Sequence, residues 1–303
     1  MKNVTKTNVL FAATVLVYII LVNVVGLIPK EVLTINMLLV LPEIILLIPS
    51  LLYILVLRPK TVDDVTISSV SPGTVLKTLV MTVLLMPLVA FINSISSAVA
   101  GNSVDTTLEL IVTENPLWLN LIILALLPAV VEEFIFRGLI LNGYKKRNPL
   151  IAITLSSVLF GLIHMNINQF SYAFVIGFVF GLLAYATGSL LPTILAHFVI
   201  NGTSITLSHM IGFSNEATAK PAAMEYIIAF AVMGGIAFVG LVLAMKVFES
   251  ICNKNRGFEN VKRIFTKPYR QKFDEEEGKF FDGYLLLGVG VCLFYILVYD
   301  ILM

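Results

Sequence analysis

The chain has 303 residues, of which 58% are hydrophobic and 13% charged, with a formal net charge of +1 at pH 7. Soluble domains carry about 25% charged residues, so an ordinary soluble fold is excluded and the bilayer must be the solvent. The near-neutral charge leaves no footprint for a nucleic-acid partner. Two cysteines, Cys252 and Cys292, without CxxC spacing, indicate neither a disulfide framework nor a thiolate metal site.

From the N-terminus, Lys2 and Lys6 precede an apolar run that reaches Pro29. It is longer than a signal-peptide core and is followed by no small-x-small cleavage site, so a retained anchor is expected. A helix needs about 20 apolar residues to cross the hydrocarbon. That length predicts an all-α, polytopic membrane bundle of about nine transmembrane helices, at 9–29, 35–57, 74–99, 117–141, 149–167, 170–187, 190–210, 224–247 and 283–302. Pro42, Pro87, Pro128 and Pro192 fall in or near these spans, where neighbouring helices can re-satisfy the freed backbone groups.

With the N-terminus inside, the cytoplasmic loops hold Arg58 and Lys60, then Lys145, Lys146 and Arg147, then the segment after Lys246. Of the twenty Lys and Arg, only Lys30 and Lys220 fall on the other side. This bias predicts N-in and C-out. The one sizeable hydrophilic stretch, 249–282, begins basic (Lys254, Arg256, Lys262, Arg263, Lys267, Arg270, Lys272) and ends acidic (Asp274 to Glu277). It reads as a cytoplasmic loop resting on anionic headgroups. The whole chain, 1–303, is expected to be a single integral membrane domain of a prokaryotic cell membrane.

Glu132 and Glu133 stand inside the span 117–141, and ionisable groups at membrane depth are functional-site candidates. Glu133 and Arg137 are four apart with the carboxylate N-terminal, the favourable order for an ion pair; Glu132 is then the free carboxylate. At 1.5 Å per residue, Glu132 lies about 20 Å before the basic turn Lys145–Arg147, His164 about 25 Å beyond it, and His197 and Asn201 about 12 and 18 Å in from the turn at Gly188. His164 and His197 are two of only three histidines. Taken singly, each polar group also fits helix packing; together they converge on mid-membrane from three helices. Glu43 is read as packing or cavity lining, and His209 as interfacial.

This set suits water-mediated amide hydrolysis. Glu132 can take a proton from water as general base, a neutral His164 can hold that water, and N–H groups of His197 and Asn201 can face an oxyanion. No serine or cysteine pairs with a histidine as a covalent nucleophile would require.

Glu132-Glu133-Phe-Ile-Phe-Arg137-Gly138 resembles the EExxxR motif of the CPBP family, the CAAX prenyl endopeptidases of the Ras-converting type together with bacteriocin-processing and immunity (Abi) proteins. Phe160-Gly-Leu-Ile-His164 resembles that family's FxxxH, and His197-Phe-Val-Ile-Asn201 its HxxxN. Gly177, Gly181 and Thr187-Gly188-Ser189-Leu190 resemble its glycine-spaced helix and TGSL turn. The likeness covers about 117–205, which marks the catalytic core. It implies an intramembrane glutamate-type endopeptidase in which Glu132 and His164 activate water, His197 and Asn201 stabilise the oxyanion, and Glu133 and Arg137 support the site. No cofactor is implied by a glutamate-dependent mechanism; zinc is the alternative, with Glu132, His164 and His197 as its ligands. The expected partners are the lipid bilayer and a membrane-associated peptide or protein substrate, a prenylated peptide or a leader peptide among them. A non-catalytic immunity or partner-binding membrane protein of the same fold is the second reading. A proton-coupled transporter is disfavoured by the absence of internal repeats.

Overall fold

The computed structural model describes residues 2–29, 32–59, 65–100, 115–146, 148–211, 223–266 and 279–298. Within them the chain is helical and has no strand. Its helices are α1 (Asn3–Gly26), α2 (Ile35–Leu57), α3 (Pro72–Ala100), α4 (Leu117–Lys145), α5 (Pro149–Leu162), α6 (Ile167–Thr187), α7 (Leu191–Ile211), α8 (Ala223–Asn255), the short α9 (Phe258–Lys262) and α10 (Gly283–Tyr295). Lys30, Lys60, Arg147, Lys220 and the stretch from Lys267 through the acidic run Asp274 to Glu277 lie outside the described residues.

The protein is a multi-pass membrane bundle. Six helices, α1 to α4, α6 and α8, are long and apolar enough to cross a bilayer, whereas Pro149–Leu162 and Gly283–Val298 are shorter apolar helices. Apolar helices stand at all nine expected places, and the six are those that meet the demands of a full span.

Side-chain caps set the ends. Asn148 accepts from the Ile151 N–H and is followed by Pro149, Asn166 accepts from the Gln169 N–H, and Asp282 accepts from the Tyr284 and Leu285 N–H groups; each satisfies a donor that the first helical turn leaves orphaned. Gly188, at φ 67°, closes α6 in the left-handed conformation that only glycine adopts without cost.

Hydrogen bonds show which ends meet. Lys6 Nζ donates to the Leu57 carbonyl (2.8 Å), Tyr144 Oη to Asn8 Oδ1 (2.5 Å), Asn8 Nδ2 to the Phe280 carbonyl (3.0 Å) and Lys77 Nζ to Ser250 Oγ (2.7 Å). These bonds gather the starts of α1, α3 and α10 with the ends of α2, α4 and α8. Lys6, Arg58, Lys77, Lys145, Lys146, Lys254 and Arg256 all belong to those same ends. These seven basic residues therefore crowd one face of the bundle.

Two buried clusters lie side by side. One joins α1, α2, α4, α5, α6 and α10, with Phe11, Ile135, Phe136, Tyr144 and Leu159 fully buried; the other joins α3, α6, α7 and α8 around Met81, Phe180, Leu183 and Ala196. The expected loop 249–282 differs from the sequence reading in its first part. There α8 runs on to Asn255, and α9 with the turn Arg263–Phe265 places Val261 and Ile264 in the core, at 1% and 0% exposure. Ile264 packs with Leu141 and Ile153, so this segment closes the basic end of the bundle.

Candidate active site

The two glutamates sit at the end of a short stretch of ordinary α-helix, Leu127–Glu133, between two π-helical stretches, Leu121–Leu126 and Phe134–Leu141. π-Segments are rare and gather at functional sites. Nothing in the hydropathy pattern announces them. Glu132 is 8% exposed, Glu133 0%, Arg137 1% and His197 6%.

Arg137 Nη1 donates to Glu133 Oε1 at 2.9 Å, the ion pair expected from the spacing. The guanidinium lies over the Phe160 ring, 4.3 Å from its centroid, and 5.6 Å from that of Phe180. Gly177 makes room for it: a Cβ there would meet Arg137 Nη2 at 3.0 Å and Phe160 Cδ1 at 3.1 Å. The glycine-spaced face of α6 is thus a seat for the arginine. Phe160 and Phe180, which sequence reasoning treated as a motif letter and as background, form the walls of that seat.

His197 comes from α7, whose start is pinned by the turn after α6. The Leu190 N–H donates to the Thr66 carbonyl (3.0 Å), Thr66 Oγ1 to the Gly188 carbonyl (2.6 Å) and Ser189 Oγ to the Ser68 carbonyl (2.7 Å). Held so, His197 Nδ1 lies 3.1 Å from Glu133 Oε1 and its Nε2 lies 3.7 Å from Glu132 Oε2. A carboxylate accepts, so Nδ1–H donates to Glu133. The gap to Glu132 is too long for a direct hydrogen bond. With Nδ1–H committed to Glu133, an N–H at Nε2 toward an oxyanion requires the second ring proton. One imidazole therefore lies against both carboxylates: Glu133 Oε1 has two close partners while its buried Oε2 has none, and Glu132 approaches the ring only at 3.7 Å.

His164 does not ride on a helix, contrary to the expected span 149–167. α5 ends at Leu162, Met165 adopts φ 49°, and Asn166 already caps α6, so His164 lies in the turn between them. This break stops the rise of α5 after about 20 Å, close to the level of Glu132 rather than beyond it. His164 Nδ1 lies 2.8 Å from the Phe160 carbonyl; the carbonyl can only accept, so Nδ1 carries the proton and a neutral ring presents Nε2 as an acceptor. The Phe160 ring meets His164 edge-on at 5.2 Å and His197 at 6.0 Å. His164 thus joins the cluster through Phe160. Asn201 Nδ2 reaches the Leu124 carbonyl of the first π-stretch at 3.5 Å, apart from the carboxylates. His209 is exposed at the far end of α7.

A cavity of about 100 Å³ opens at the basic end, lined by Thr66, Arg137, Lys145, Ser189 and Arg256 among others. It reaches Arg137 and stops one helical turn short of the glutamates.

Among the described residues no three His, Cys, Asp or Glu side chains are grouped closely enough in this arrangement to hold a metal ion.

Comparison with known proteins finds a likeness over the stretch that holds the site. Residues 114–203 match the family model described as type II CAAX prenyl endopeptidase, Rce1-like. This Rce1-like stretch contains Glu132, Glu133, Arg137, His164, His197 and Asn201, and it bears out the resemblance carried by the three motifs. A Bacillus subtilis (strain 168) protein named "Putative membrane peptidase YdiL" is 29% identical over 111 residues, 36% of this chain and 45% of that relative. The chain thus matches somewhat less than half the length of that curated relative. No solved structure matches the chain.

Proposed function

We propose that this protein is a membrane-embedded endopeptidase that cuts a membrane-associated peptide or protein with water activated by Glu132 and His164. The observation that carries this reading is the asymmetry of the two glutamates. Glu133 is fixed through Oε1 by both Arg137 and His197, while Glu132 faces His197 across 3.7 Å with no hydrogen bond between them, inside a stretch that matches a membrane endopeptidase family.

The roles follow from the donors and acceptors. Glu132 takes a proton from water. The Nε2 of His164 accepts a second hydrogen bond from the same water and aims its oxygen. The Asn201 amide, and His197 when its second nitrogen is protonated, offer N–H groups to the oxyanion, worth about 3 kcal/mol per donor. Glu133 and Arg137 hold His197 in place. No step passes through a metal.

Peptidomics of cells carrying the wild type or Glu132→Gln tests the proposal. Cleavage products present only with the wild type support it. Identical peptide pools, with both proteins in the membrane, would leave the non-catalytic immunity or scaffold reading standing.

A further inference from the structure

One buried carboxyl takes no part in the scheme above. Glu43 lies in α2, outside the stretch that matches the family, and is 9% exposed. Its Oε2 is buried without a hydrogen-bond partner. An unpaired buried carboxyl is costly anywhere and more so within a membrane.

Its level in the bundle is that of the site. The ends of α1, α2 and α4 are tied together by the bonds of Lys6 to Leu57 and of Tyr144 to Asn8. From that common face, Glu43 stands about 21 Å up α2 and Glu132 about 20 Å up α4, with Tyr18 about 22 Å up α1. α2 packs directly against the turn of α4 that bears Glu132 and against both π-stretches that flank it. The charges of Glu43 and Glu132 act on one another, and both act on the Tyr18 hydroxyl between α1 and the site. Tyr172 of α6 also feels Glu132. Glu132 therefore has His197 beside it and, at its own level on the helix packed against its segment, a second carboxyl.

We propose that Glu43 is the acid of this site, the carboxyl that gives its proton to the leaving amine. This rests on Glu132 being the base. Two carboxyls at one dry level cannot both ionise cheaply, so the pair shares one proton. His197 stands 3.7 Å from Glu132, which assigns the proton-accepting role to Glu132 and the proton-giving role to Glu43. Water loses a proton to Glu132 as its oxygen bonds to the carbonyl carbon. When the C–N bond breaks, the nitrogen takes the proton of Glu43, leaving an acid and an amine. Glu132 then passes its proton to Glu43, and both carboxyls return to their starting forms. A site with Glu132 alone would have to use one carboxyl twice; the second carboxyl separates the two proton transfers.

Two measurements test this. The first needs no substrate: infrared spectroscopy of the purified protein in nanodiscs. The wild type is expected to show a protonated-carboxyl C=O band that is lost in Glu43→Gln, and absence of any such band in the wild type at neutral pH overturns the proposal. The second uses a fluorogenic peptide spanning a cleavage site that peptidomics finds to depend on Glu132, made once with the scissile amide and once with an ester there. Glu43→Gln should slow the amide by about 100-fold or more and the ester far less, because an alkoxide leaves with less help from an acid. Equal loss on both bonds makes Glu43 a structural residue, and wild-type rates on the amide remove it from the site; either result overturns the acid. Retained cleavage by Glu132→Gln is a different failure, that of the base itself.

Discussion

Arg137→Met is the sharpest test of how the two glutamates divide their roles. The guanidinium is 1% exposed, donates to Glu133 at 2.9 Å and lies 4.3 Å from the centroid of Phe160. Removing one partner of a buried ion pair strands the other, at a cost of about 3–5 kcal/mol. The lost cation–π contact overlaps with that figure and is worth about 2 kcal/mol when desolvated. A loss of about 4 kcal/mol is therefore expected for the single variant, read from equilibrium unfolding in mixed micelles of rising SDS fraction. Glu133→Gln keeps an amide oxygen to accept from His197 Nδ1–H while removing the stranded charge. The double variant Glu133→Gln/Arg137→Met should then regain about 2 kcal/mol over Arg137→Met alone, a coupling within the range of directly contacting groups. Full stability of Arg137→Met, or a double variant no better than that single one, would show that the pair does not carry the buried charge.

Glu132→Gln should abolish cleavage while the protein accumulates in the membrane, because Gln keeps the shape but cannot take the proton of water; turnover in this variant, assayed in purified membranes, removes Glu132 as base. Purified enzyme should keep its activity after exhaustive chelation, whereas loss with rescue by zinc would require Glu132, His164 and His197 to rearrange around the ion. Ile264→Ala should destabilise the protein by about 2–5 kcal/mol, since Ile264 is fully buried against Leu141 and Ile153; unchanged unfolding would mean that the segment after α8 does not dock. With the basic end toward the cytoplasm, as the charge bias predicts, single cysteines along 132–140 and 193–201 should react with a membrane-impermeant thiol reagent from the cytoplasmic side through the cavity that reaches Arg137, and labelling only from outside would refute both that route and the expected orientation.

What the sequence could show was local or repeated. The Glu133–Arg137 pair is four residues long, and its geometry follows from helix periodicity alone. Spans are runs of apolar residues, so their places were legible as well. The hidden features depend on backbone hydrogen bonding that side-chain character does not encode. A π-stretch changes the bonding partner from i+4 to i+5 without changing hydropathy, so Leu121–Leu126 and Phe134–Leu141 look like ordinary helix. His164 was expected about 25 Å deep on a continuous helix; a positive φ at Met165 and a cap at Asn166 end that helix early and bring it level with Glu132. Val261 and Ile264 sit among charged neighbours that make 249–282 read as a cytoplasmic loop, yet two apolar side chains three apart suffice to dock one short helical turn.

The cost of keeping charge in a bilayer explains why this site is so unevenly paired. Glu133 has a cation and an imidazole N–H on one oxygen, which lets it remain buried as a fixed part of the framework. Glu132 lacks that anchoring: His197 stands 3.1 Å from Glu133 but 3.7 Å from Glu132, and no hydrogen bond joins the ring to the second carboxyl. Glu133 is thus fixed as part of the framework, and under the proposed mechanism Glu132, which accepts no hydrogen bond from His197, is the carboxyl left to take the proton of water.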